Sequence, residues 1–137
     1  MEKLTRYEFG GTGIFNAIDI LYGLDLDDQE KADLKWAEKE FDTTLKSPDV
    51  FDDEAKTNKL YCFFTPKGES AFASCLDILT NLFYQAEDAG LGEFQSIVVS
   101  DSDLNIVYRD DYQVVASLSF QKMENIRRMA LQQASSY

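Results

Sequence analysis

Apolar positions change period several times along the chain, and each change marks an element. Leu4–Phe9 sets Leu, Arg and Glu against Thr, Tyr and Phe, the alternation of a short strand. Gly10–Gly13 forms a corner. Ile14, Ile18, Leu21 and Tyr22 then fall on one helical face, and Gly23 ends it. Asp27 followed by Glu30 reads as a capping box opening a helix that runs to about Phe41 or Leu45. Residues 46–58, with Pro48, several acids and little periodicity, read as a surface loop.

The second half carries stronger patterns. "KLYCFFT" is an apolar, aromatic run, expected to be a central strand. Thr65 is placed to cap the next helix, with Pro66 at its first position. Phe72, Cys75, Leu76, Leu79, Leu82, Phe83 and Ala86 repeat at helical spacing up to Gly90. Ile97–Val99, Ile106–Tyr108 and Tyr112–Ala116 read as an antiparallel meander, with Asp101, Asp103, Asp110 and Asp111 as turn residues. A last helix, about Phe120–Gln133, is capped by Ser119. The expected order is β-α-α-β-α-β-β-β-α in a single domain over residues 1–137. That is an α+β fold, a mainly antiparallel sheet of about four to five strands with helices packed on one face.

Composition narrows the function. The 137 residues include ten Phe and seven Tyr, enough for a substantial core. The net charge is −12, which repels nucleic acid and anionic membranes and attracts basic surfaces. No apolar run approaches the ~18 residues of a spanning helix, and no signal-peptide pattern opens the chain, so a cytoplasmic location is expected. Cys62 and Cys75 lie inside apolar patterns and read as buried free thiols. Histidine is absent, which excludes Ser–His and Cys–His nucleophile pairs.

The remaining chemistry-bearing patterns fail in detail. Strand, glycines and helix in "EFGGTGIFNAID" set the context of a phosphate loop. It lacks the Gly-Lys-Ser/Thr ending, and no Lys or Arg lies between Arg6 and Lys31. The corner is therefore expected to turn the chain. Neither "DLDDQEKADLKW" nor "DSDLNIVYRDDY" keeps calcium-loop spacing. No cofactor, metal site or catalytic residue is assigned. Arg127-Arg128, the only basic doublet, fits the last turns of a helix rather than a nucleic-acid footprint.

What stands out is the placement of acids. Residues 1–58 hold 15 acidic and 7 basic residues, and residues 59–137 hold 10 and 6. On the helix from Asp28, Leu34, Ala37 and Phe41 share one arc at 100° per residue. Lys31, Lys35 and Lys39 form a stripe roughly opposite. Trp36 lies off the apolar arc, flanked by Asp33 and Glu40, a composition suited to a cationic partner. Asp49, Phe51, Asp52, Asp53 and Glu54 form a second acidic cluster around an aromatic.

A small, histidine-free, strongly acidic α+β chain resembles the inhibitors carried by bacteriophages and mobile elements, anti-CRISPR and antirestriction proteins among them. "LYCFFTPKGESAF" also resembles a strand–Thr–helix unit of polyvalent-protein domains from such elements, through Phe64, Thr65, Gly68 and Phe72. The resemblance implies a cytosolic inhibitor of a basic nucleic-acid-handling enzyme, such as a CRISPR effector, and carries over no functional residue. The competing expectations are an immunity or antitoxin protein, a small carboxylate-dependent enzyme, and a self-associating module.

Overall fold

The structure, a computed structural model, describes residues 2–45, 60–88, 90 and 92–135, with side chains as far as residue 130. In chain order the elements are β1 (Lys3–Phe9), β2 (Thr12–Gly13), α1 (Ile14–Tyr22), α2 (Asp28–Thr44), β3 (Leu60–Phe64), α3 (Pro66–Ala71), α4 (Ala73–Asp88), β4 (Phe94–Ser100), β5 (Ile106–Arg109), β6 (Gln113–Ser117) and α5 (Phe120–Ser135). The expected α+β class and order hold, with a two-residue strand added after β1 and the third helix divided at Phe72.

Local chemistry accounts for most boundaries. Gly10 and Gly11 adopt φ of 58° and 82°, the left-handed region a tight hairpin turn demands, and join β1 to β2. The capping box at α2 is complete: Asp27 Oδ1 accepts from Glu30 N–H at 2.7 Å, and Glu30 Oε1 accepts from Asp27 N–H at 3.0 Å. Thr65 Oγ1 accepts from Gly68 N–H at 2.9 Å and caps α3, with Pro66 at its first position. Ser119 Oγ accepts from Lys122 N–H at the start of α5.

All strand pairs are antiparallel. β4 runs along one edge of β1 over its whole length, β3 and β2 share the other, and β6 and β5 follow β3. β4 and β5 therefore sit at opposite ends of the sheet, yet residues 101–105 join them. A flat sheet would separate them by roughly 19 Å. The linker is shortened further by a 3-10 turn at Asp101–Asp103, so the sheet must curl until its ends approach. Arg109 of β5 spans the approach, pairing with Asp101 at 3.2 Å and with Glu2 at 2.6 Å. This corrects the meander: β5 and β6 form a hairpin, but β4 pairs with β1, and Asp101–Asp103 link sheet ends rather than turn a hairpin.

Strand alternation divides the core in two. Phe9 and Phe64 join residues of α1, α2 and α4, with Phe72 between α3 and α4, in one cluster that includes Leu21, Leu34, Phe41, Leu79 and Phe83. Leu4, Phe63, Ile97, Val114 and Ala116 face the other way and pack with Leu118 and Met123. The helices are therefore not all on one face. α5 covers the second apolar face, which a sheet with buried residues on both sides of β1, β3 and β6 requires.

Candidate functional site

Helix α2 presents its expected core arc: Leu34, Ala37 and Phe41 are buried. Its two flanks differ. On one, Lys31 and Lys35 face the end of α1, where Tyr22, Leu26, Asp28 and Ala32 complete a shallow, open depression. Tyr22 Oη donates to Glu38 there at 3.1 Å, and burial together with that carboxylate pushes the Tyr22 phenol up. The other flank holds Asp33, Trp36 and Glu40. Trp36 is 44% exposed, as its position off the apolar arc predicts. Asp33 accepts from Gln29 at 2.9 Å. Glu40 lies close enough to the buried Cys75 on α4 to help burial raise that thiol. An exposed indole thus stands beside two half-buried carboxylates.

The surrounding layer strengthens that flank. α1, α2 and α4 together carry ten acidic and three basic side chains, and all three basic ones are the lysines of α2. α5, on the opposite face of the sheet, carries three basic residues and one acidic through Arg128. Charge is segregated across the sheet. Asp49, Phe51, Asp52, Asp53 and Glu54 lie outside the described residues.

The glycine corner has a neighbourhood its sequence did not disclose. Arg6 reaches it from β1: a Cβ on Gly13 would lie 2.9 Å from the Arg6 guanidinium. Arg127 reaches it from α5, 3.5 Å from the Gly11 carbonyl. Two cations therefore stand where none was expected, and both are committed to Glu8. Arg6 Nε donates to Glu8 Oε2 at 2.6 Å, and Arg127 Nε donates to Glu8 Oε1 at 2.6 Å. Arg127 also pairs with Glu124, and Arg6 donates to the Cys62 carbonyl. Burial alone would push the Glu8 carboxyl up, but hydrogen bonds from Arg127 and Arg6 outweigh it and hold Glu8 below the usual range. Arg127 is thus mid-helix and ties α5 to β1, rather than closing a last turn. Alternation along β1 signals which face Glu8 takes; nothing in the sequence signals that Arg127, 119 positions away, would meet it.

Cys62 and Cys75 are free, half-buried and buried respectively. Burial pushes the Cys62 thiol up to about 11, against a smaller opposite pull from Arg6. No helix among the described residues is long and apolar enough to cross a membrane. The chain matches no protein-family model, no curated protein and no solved structure.

Proposed function

We propose that the chain is an acidic binding protein that inhibits a basic nucleic-acid-handling partner, a bacterial defence nuclease such as a CRISPR effector, through its three-helix layer. The observation that carries this reading is the segregation of charge: ten acids against three bases on α1, α2 and α4, with an exposed Trp36 set between Asp33 and Glu40. An arginine of the partner stacks on the indole while a carboxylate takes its hydrogen bonds. The lysine stripe on the other flank of α2 makes the layer a poor copy of the even charge line of a duplex. Inhibition by occupying a basic surface therefore fits better than imitation of DNA.

Recovery from a bacterial lysate at low and high salt tests the reading. One basic nuclease or effector, captured at low salt and lost at high salt, is the expected result. The double substitution Asp33→Lys/Glu40→Lys should abolish capture while leaving the fold intact. Normal capture by that variant would move the interface elsewhere.

A further inference from the structure

Among the described residues the outer edge of β4 pairs with no strand, β5 approaching it through Arg109 at the Asp101 end, and its hydrogen-bonding parity can be assigned. Gly10 N–H donates to the Glu93 carbonyl, and Asp101 N–H donates to the Glu2 carbonyl, each at 2.9 Å. These pairs lie in register with Phe9↔Phe94 and Lys3↔Ser100 at the two ends of the ladder. Hydrogen-bonded pairs alternate in an antiparallel ladder. Gln95, Ile97 and Val99 therefore bond β1, and Phe94, Ser96 and Val98 turn their backbone groups outward. The Phe94 N–H is taken by Glu87 Oε1 at 2.7 Å, which leaves Ser96 and Val98 with donors and acceptors facing out.

Natural edges are blunted by charge, proline or a bulge. β4, "FQSIVVS", has no charged residue or proline, and its register with β1 is unbroken. The Val98 side chain is 50% exposed, and Ser96 is exposed beside it. At the Phe94 end the helix layer adds Tyr84, 51% exposed and edge-on to Phe94 with ring centroids 5.9 Å apart, and the Glu87 carboxylate. Asp88 and Glu93 add negative charge at the same end, and neither α4 nor β4 contains a basic residue. A second copy would bring another chain of net charge −12 to this edge. A cationic segment meets complementary charge.

We propose that the β4 edge accepts an extended segment of the basic partner as an added strand. Backbone bonds form to Ser96 and Val98, and an arginine or lysine opposite Phe94 is held by Tyr84 and Glu87. This rests on the basic-partner reading and names a second contact for it. Residues directly opposite one another share a face, so the residue facing Phe94 lands beside Tyr84 and Glu87. Those facing Ser96 and Val98 meet Val98 and are small or β-branched.

The test is titration of the isotope-labelled full chain with a heptapeptide of alternating valine and threonine ending in two arginines, followed by amide NMR. A counterpart ending in two glutamates is the control. The expected result is shifts centred on the Ser96 and Val98 amides, with the arginine peptide bound about tenfold or more tightly than its counterpart. Ser96→Pro should remove binding and stay folded, because its missing N–H faces outward. Tyr84→Ala and Glu93→Gln, which leave every backbone bond in place, should each weaken it. Equal binding of the two peptides, or shifts confined to α2, would overturn the proposal; the latter leaves the acidic-surface reading standing. A dimer in sedimentation that Ser96→Pro abolishes would give the edge to a second copy and also overturn it. Failure of the lysate capture, by contrast, bears on the partner reading and not on the peptide titration.

Discussion

At the residue scale, Glu8 holds the most consequential position. It is 1% exposed and carries two arginines, one from its own strand and one from α5. Removing one member of a buried ion cluster leaves an uncompensated charge, so Glu8→Ala should cost about 3–5 kcal/mol in denaturant unfolding. The pH dependence has a definite sign. The folded-state carboxyl lies below its ordinary 4.5, so its stabilisation is full above that value and is lost as pH falls through the folded-state value. Urea midpoints measured from pH 6 down to pH 3 should fall, and the fall should be shallower in Glu8→Gln. Trp36 offers a second residue-scale reading because it is the only tryptophan. With Asp33 and Glu40 beside it, caesium should quench its fluorescence more than iodide does. Asp33→Asn/Glu40→Gln should remove the difference, and equal quenching in the parent chain would count against an anionic flank.

At the element scale, the strand-to-helix step at Thr65 shows what local sequence can encode. Thr65 Oγ1 accepts from Gly68 N–H and donates to the Asp111 carbonyl at 2.6 Å, while Thr65 N–H donates to the Tyr112 carbonyl. Phe64 and Phe72, one on each side of the cap, meet in the core with centroids 6.2 Å apart. Gly68 permits this packing, since a Cβ there would lie 2.1 Å from the Tyr112 carbonyl oxygen. Thr65→Ala should cost about 1–2 kcal/mol as a lost cap. Gly68→Ala should cost about 1–3 kcal/mol through overpacking, and both are measurable by thermal or denaturant unfolding. Caps at Asp27, Thr65 and Ser119 were legible because each sits within three residues of the donor it satisfies. The break at Phe72 was not: its apolar side chain keeps the helical period while the backbone leaves it. Strand pairing was also illegible beyond β5–β6, because an alternating pattern fixes which side chains share a face and says nothing about which strand lies alongside.

At the scale of the whole molecule, the two faces of the sheet are chemically unlike. The three-helix face is acidic, and the face covered by α5 is apolar beneath a helix with a positive balance. The acidic half of this division was readable in the first 58 residues, but the side on which α5 would settle was not, since one apolar stripe suits either face. Bound partner should therefore protect α2 in hydrogen exchange and leave α5 unchanged. The curl of the sheet has a consequence for how the chain is made. β1 takes its full-length neighbour from Phe94–Ser100, some ninety positions later in the chain. Until those residues emerge, β1 has no long partner, and the face later covered by Met123 stays open. Long-range pairing of this kind slows folding and exposes apolar surface meanwhile. Translation thus runs through Ser100 before β1 is secured on both sides.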